Sequence, residues 1–104
     1  MRDQRRSERL SLLMAVEFES AGVWIKGRIT NIGTLGIYIE TASPLPVGAH
    51  LRLKFHLQGS PEIQTAGVVA HQQTGLGMGV AFISIGGDVV KQIERLIDEE
   101  KPSS

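Results

Sequence analysis

Residues 50–57 read HLRLKFHL and alternate strictly between polar and apolar side chains. A period of two is the side-chain period of a β-strand that buries one face. The apolar residues that would share the buried face are Leu51, Leu53, Phe55 and Leu57. Such a strand is not stable alone, because its apolar face needs a core and its backbone needs partner strands. The rest of the chain must therefore supply further strands.

Period-two segments bounded by turn residues recur along most of the chain. We predict strands at residues 12–18, 23–32, 35–40, 50–57, 62–72 and 77–83. Gly22 marks a hairpin turn between the first two segments, and prolines or glycines separate most of the others. Six short strands at this spacing are typical of a small antiparallel barrel or a sandwich.

The periodicity changes near the C-terminus. Asp88 follows two glycines and is predicted as the N-cap of a helix. The apolar residues that then recur at helical spacing are Val89, Val90, Ile93, Leu96 and Ile97. We expect this helix to lay its apolar side against the strands. The predicted fold class is therefore mainly β, with one C-terminal α-helix.

Length and composition restrict the class of protein. The chain has 104 residues, which is the size of one domain, and its hydrophobic content of 41% is sufficient for a core. It has no cysteine, which excludes disulfides and thiolate metal sites. No apolar run reaches the roughly 18 residues of a membrane helix, and the charged N-terminus lacks the apolar region of a secretion signal. These features predict a cytoplasmic protein with no membrane insertion.

The charges are balanced overall but unevenly distributed. A net charge of zero gives little long-range attraction to duplex DNA. The first nine residues nevertheless contain four arginines, Arg2, Arg5, Arg6 and Arg9. An arginine pair spaced by four residues could flank one compact anion, because the guanidinium matches phosphate oxygens and the O6/N7 edge of guanine. A solvated basic tail is the alternative interpretation.

The segment NIGTLG at residues 31–36 combines an asparagine with two glycines between strands. Asn31 suits a turn and offers an amide, and Gly33 and Gly36 permit positive φ or the close approach of a ligand to the backbone. A turn that directs several N–H groups at one point can bind an anion. The alternative is a bulged turn without a ligand, because N-x-G-x-x-G is a loose pattern. A strand follows it, so it is not a dinucleotide-binding fingerprint.

The order of these segments resembles the PilZ domain family over roughly residues 4–98. An R-x-x-x-R pair in RRSER comes first, followed by a strand hairpin, NIGTLG at the end of the second strand, and LGMGVAF near the last strand. The resemblance implies a six-stranded antiparallel β-barrel with a C-terminal helix, which binds the bacterial second messenger cyclic di-GMP. It also implies two parts, a flexible arginine-rich arm at residues 1–10 and the barrel with its helix at residues 11–99.

The resemblance also implies a set of ligand-binding residues. Arg5 and Arg9 match the arginine pair of the family, which folds over the nucleotide. Asn31, Gly33 and Gly36 match the second motif, which holds a guanine and the nucleotide backbone. Gly33 departs from the family pattern, because serine is usual there and its hydroxyl is missing.

Two further residues are weaker candidates for ligand contacts. Arg6 belongs to the same arginine cluster, and His71 lies near the strand end where the family often places a ligand-facing residue. His71 could stack on a guanine. Trp24 is predicted on a polar strand face, which leaves open a homodimer contact or packing against the arm.

No pattern of catalytic residues is present in the sequence. There is no Ser-His-Asp order, no nucleophile elbow and no metal-ligand spacing, and His50 and His56 cannot easily share a metal. We therefore predict no enzymatic activity, no metal and no cofactor beyond the nucleotide ligand.

Three functions remain open, and the first is favoured. The chain could be a cyclic di-GMP receptor module that passes its signal to an unidentified protein partner. It could instead be a PilZ module that no longer binds nucleotide and acts as an adaptor, which the loss of the hydroxyl at Gly33 supports. A barrel that binds single-stranded nucleic acid would need a basic groove with several aromatic side chains, whereas the chain has five aromatic residues in all.

Overall fold

The computed structural model describes residues 9–57 and 60–100. This part of the chain forms a closed barrel of six antiparallel strands, followed by one helix. The elements are β1 Arg9–Ser20, β2 Val23–Gly33, β3 Gly36–Glu40, β4 His50–His56, β5 Glu62–Gln73, β6 Gly77–Ser84 and α1 Gly87–Glu100. The strand order around the barrel is β1-β2-β3-β6-β5-β4. The predicted six-stranded antiparallel β-barrel with a C-terminal helix is confirmed.

The barrel is closed by the pairing of its first and fourth strands. Residues 16–19 of β1 pair with residues 52–55 of β4. β1 and β2 form the predicted hairpin, whose two turn residues are Ala21 and Gly22, with φ of 55° and 84°. With positive φ at both positions, the twist of the turn matches the twist of the two strands. Glycine adopts positive φ without strain.

The core lies inside the barrel and extends to the helix. The four apolar residues of the alternating segment at 50–57 are all buried, as the period of two predicts. Ile93 and Ile97 of α1 are also fully buried and belong to the same apolar cluster. Val89 and Leu96 pack against its edge. The apolar side of the helix therefore covers part of the core, as expected from its spacing.

The start of the helix differs from the prediction. α1 begins at Gly87, so Asp88 lies within its first turn and is not the N-cap. The backbone N–H groups of Val89 and Val90 both donate to the carbonyl oxygen of Gly86. The Asp88 carboxylate still lies near the positive end of the helix dipole.

No helix among residues 9–57 and 60–100 is long and apolar enough to span a membrane.

Two strand boundaries also differ from the sequence pattern. β1 begins at Arg9, so Arg9 and Leu10 are paired with β2, although the predicted arm extended to residue 10. The rest of the predicted arm, residues 1–8, lies outside the described residues. Leu35 continues the apolar alternation of β3 in sequence, but it precedes the strand and its side chain is 54% exposed.

The backbones of β3 and β6 approach each other closely at Gly36. Gly36 pairs with Ala81, and a Cβ atom placed on Gly36 would overlap the carbonyl oxygen of Val80 and lie 3.1 Å from the Cα of Ala81. Backbone atoms of a paired strand cannot move aside without breaking the ladder. Gly36 is therefore required by the packing of the two strands, whatever else it does.

We expect Gly36→Ala to destabilise the barrel. Overpacking costs about 1–3 kcal/mol, and the effect should lie at the upper end because the obstacle is backbone. For a domain of this size each kcal/mol corresponds to a fall in Tm of about 4–8 °C. Thermal and urea unfolding monitored by circular dichroism would measure it.

The matched control is Gly87→Ala. A Cβ atom there meets no atom within 4 Å, and alanine favours a helix over glycine by up to about 1 kcal/mol. We expect this variant to be as stable as the parent or slightly more so. Equal stability of the Gly36→Ala variant and the parent would contradict the proposed packing constraint.

Candidate functional site

Arg9 lies at the first position of β1, opposite Gly33 of β2. Its Nε donates a hydrogen bond of 2.7 Å to Oδ1 of Asn31, and its Nη2 donates one of 3.2 Å to the carbonyl oxygen of Gly36. These contacts join residues that are 22 and 27 positions apart in the chain. Partial burial lowers the pKa of Arg9, because desolvation disfavours its charged form.

Asn31 reaches this site because β2 contains a bulge. Ile29 pairs with Ile39 of β3, and Asn31 pairs with the next residue, Tyr38, so β2 has one extra residue. The bulge shifts the alternation, and the next buried side chain after Ile29 is that of Ile32. Without this shift, a period of two would direct Asn31 into the core. The sequence contains a signal for the bulge, since these two buried isoleucines are three residues apart.

The two glycines of the second motif have different roles. Gly33 is buried at the end of β2. It does not line the open depression on the barrel surface that Arg9 and Asn31 line. Gly36 lines the depression and presents its carbonyl oxygen to Arg9. The glycines with positive φ in the described residues are Gly22, Gly48 and Gly75. Neither motif glycine therefore has the left-handed conformation that the sequence analysis considered for them.

Arg9 and Asn31 form one wall of an open depression of about 380 Å³ on the outside of the barrel. The lining comes from β1, β2, β3, β5, β6 and the turn before β3. Its residues are Arg9, Asn31, Leu35, Gly36, Ile37, Tyr38, Ala70, His71, Gly79, Val80 and Ala81. The structure thus brings together four of the predicted site residues, Arg9, Asn31, Gly36 and His71. Arg5 and Arg6 lie outside the described residues.

Tyr38 and Gly79 are two of the seven lining residues that were not predicted as site residues from the sequence. Tyr38 is the outward-facing residue between Ile37 and Ile39, and Gly79 lies on the outer face of β6. The ring centroids of Tyr38 and His71 are 6.1 Å apart, with 29° between the ring planes. The available signal was the G-x-G spacing in LGMGVAF, because glycines two apart in a strand leave one face without side chains.

Other groups considered from the sequence lie away from this depression. Trp24 is 40% exposed, and Nζ of Lys54 lies 4.2 Å from the centre of its ring, a cation–π contact. Nε2 of His56 is 4.0 Å from a carboxylate oxygen of Glu62. Within residues 9–57 and 60–100, no group of three or more metal-ligating side chains occurs.

A second depression, of about 500 Å³, lies between α1 and the turn that precedes β5. It is lined by charged side chains of both signs, including Asp88, Lys91, Arg95 and Glu99. None of the predicted site residues that the structure describes lines it. The depression at Arg9 is smaller, but it is the one on which the two sequence motifs converge, so we treat it as the candidate site.

Several solved structures share this fold. The chain resembles the inhibitor of motility MotI/DgrA of Bacillus subtilis with a TM-score of 0.78 at 19% identity, over 95% of this chain and 51% of that one. It resembles the PilZ domain of YcgR from Escherichia coli, solved with c-di-GMP, with a TM-score of 0.74 at 15% identity, over 88% of this chain and 87% of that one. PlzA of Borreliella burgdorferi, in complex with c-di-GMP, gives 0.68 at 17% identity, over 83% of this chain and 38% of that one.

The chain thus spans about half or less of two of these relatives. At such identities the structural likeness shows the shared fold. No curated protein matches the sequence significantly. The family model described as PilZ domain matches residues 3–99, nearly the whole chain. The chain belongs to the PilZ domain family.

Proposed function

We propose that the chain is a receptor module for cyclic di-GMP, which binds in the depression between Arg9, Asn31 and His71. The observation that carries the proposal is the pair of hydrogen bonds from Arg9 to Asn31 and Gly36. These bonds join one residue of the arginine pair to two residues of the second motif on one surface. Two of the similar structures, those of YcgR and PlzA, contain c-di-GMP.

The guanidinium of Arg9 keeps donors for a ligand. A guanidinium has five N–H donors, and the bonds to Asn31 and Gly36 use two of them. The remaining donors are on Nη1 and Nη2, the pair that forms a bidentate contact with phosphate oxygens or with guanine O6 and N7. An anionic ligand would also stabilise the charged guanidinium, which partial burial disfavours. The internal bonds therefore orient Arg9 without saturating it.

The rest of the lining suits a flat base. It combines small or aliphatic residues with the two aromatic rings of Tyr38 and His71, and none of the described lining residues is a carboxylate. A purine gains from stacking on aromatic rings, and a phosphate would be repelled by carboxylates. We propose that His71 stacks on one guanine, while Arg5 and Arg6 approach from the N-terminal arm and Arg9 binds the phosphate or guanine edge.

The proposed module is not an enzyme, and its signal passes to a protein partner. Ordering of the arginine arm on the nucleotide would create a surface that is present in only one ligand state. Within residues 9–57 and 60–100 no group of three or more metal-ligating side chains occurs, and the described lining has His71 as its single imidazole with no serine, threonine, cysteine or carboxylate beside it, so its chemistry favours binding over turnover. We place the module in the cytoplasm, where a nucleotide second messenger acts.

A second candidate function is that of a protein-binding adaptor without nucleotide. It is favoured by Gly33, which stands where the family usually has serine, so that a side-chain hydroxyl is missing from the second motif. One of the similar structures is that of a protein called an inhibitor of motility, a name that refers to an effect on motility. The two candidates differ in whether cyclic di-GMP binds at all.

We expect isothermal titration calorimetry to detect cyclic di-GMP binding to the parent protein, and weaker or absent binding of cyclic di-AMP.

A charge-assisted hydrogen bond contributes about 1.5–3 kcal/mol, so Arg5→Ala and Arg9→Ala should each weaken binding about tenfold or more. Arg52→Ala is the matched control, because Arg52 is an exposed β4 arginine outside the depression. Absence of binding to the parent would instead favour the adaptor.

Asn31 and Arg9 should act on the ligand as a coupled pair. Because Asn31 Oδ1 fixes the direction of the Arg9 guanidinium, we expect Asn31→Ala to weaken binding by about three- to tenfold. In an Arg9→Ala background the same change should cost less, since residues in one hydrogen-bond network are not additive. Titration of the four proteins of this cycle measures the coupling. Fully additive losses would mean that Asn31 binds independently of Arg9.

A further inference from the structure

The outer face of β6 carries no side chains over part of its length. Gly77 and Gly79 are two residues apart, while Met78 and Val80 between and beyond them point inward and are buried. Because side chains alternate along a strand, both glycines face outward. Side chains from the neighbouring strands can therefore lie directly on the β6 backbone.

Two aromatic rings occupy this bare stretch. A Cβ atom on Gly77 would overlap the backbone carbonyl oxygen of Ile39, and it would also lie 2.8 Å from Cε2 and from the hydroxyl oxygen of Tyr38, which reaches over from β3. A Cβ atom on Gly79 would overlap the imidazole of His71, at 2.6 Å from its Cε1 and 2.8 Å from its Cδ2. Any residue larger than glycine would thus displace a ring. The rings stack with each other and form a continuous aromatic surface across β6.

The two rings are held differently. The hydroxyl of Tyr38 donates a hydrogen bond to Oε1 of Gln73 on β5, so this side chain is tied at its far end across β6. His71 is exposed, and in the described part of the chain no hydrogen bond holds its imidazole. The orientation of that ring therefore depends on packing, with Gly79 beneath it and Tyr38 beside it.

We propose that Tyr38 is a positioning residue for the nucleotide site, which holds the His71 ring flat over Gly79 so that the ring can stack on a purine. This proposal deepens the proposed function and rests on it. Without the Tyr38–Gln73 bond and the ring of Tyr38, His71 is a surface side chain free to rotate into solvent. Tyr38 therefore acts on the ligand through His71.

A double-mutant cycle on cyclic di-GMP affinity tests this. Base–aromatic stacking contributes about 1–3 kcal/mol, so His71→Ala should weaken binding by about five- to a hundredfold. Tyr38→Leu should produce a smaller loss in the parent, and no further loss in the His71→Ala background. Tyr38→Phe keeps the ring and loses the bond to Gln73, so it should lie between the parent and Tyr38→Leu. His50→Ala, an exposed histidine on β4, is the matched control. Equal losses from Tyr38→Leu in both backgrounds would overturn the proposal.

The histidine NMR signals give a second measurement that needs no ligand. The chain has three histidines, His50, His56 and His71, so their imidazole Cε1–H signals can be assigned with single alanine variants. In the ligand-free protein, NOEs between the His71 ring protons and the α-protons of Gly79 report whether the imidazole lies on β6. Tyr38→Leu should weaken these NOEs and Tyr38→Phe should largely retain them, whereas unchanged NOEs in Tyr38→Leu would overturn the positioning role. If the parent does not bind cyclic di-GMP, the proposed function fails, and this measurement still decides whether Tyr38 positions His71.

Discussion

The close approach of the β3 and β6 backbones is the constraint on which the candidate site depends. Glycine occupies one side of this contact at Gly36 and the other at Gly77 and Gly79. A Cβ at Gly36 would overlap the backbone of Val80 and one at Gly77 that of Ile39, and a Cβ at Gly77 or Gly79 would also meet an aromatic ring of a neighbouring strand. These glycines remove side chains from the middle of the outer surface. The depression exists because this seam is bare, and not because a loop has been inserted.

The bare seam lets strands that flank it supply the functional groups. Arg9 reaches across from β1 and donates to the Gly36 carbonyl, Tyr38 lies over Gly77, and His71 comes from β5 on the opposite side. Tyr38 lies on β3 and His71 on β5, and each of these strands pairs with a neighbouring strand on both of its edges. Arg9 is the first residue of β1. Groups on paired strands are held in place by the ladder, and such preorganisation reduces the entropy lost when a ligand binds.

Most of the fold could be predicted from the sequence, because the alternation of side chains and the turn residues between segments identify strands directly. The predicted strand at 12–18 is longer, Arg9–Ser20, and the other five differ by one residue at one end. The site was less predictable. The bulge that turns Asn31 outward breaks the alternation used to find β2. Gly36 looked like a turn or ligand position, although the packing against Val80 already requires it. Tyr38 was missed because its importance depends on β6, which is distant in sequence.

The distribution of charge leaves a positive group in the depression of a protein whose net charge is zero. Away from the depression, two exposed basic side chains have local partners: Nε of Arg28 lies 3.7 Å from a carboxylate oxygen of Glu40, and Lys54 lies over the ring of Trp24. Among the described residues that line the depression, Arg9 is the one with a permanent charge, and its hydrogen-bond partners there are neutral oxygens of Asn31 and Gly36. Neutral acceptors orient the guanidinium without cancelling its charge, whereas a carboxylate would orient it and also neutralise its charge. An asparagine at position 31 therefore leaves more positive potential for a phosphate than an aspartate would.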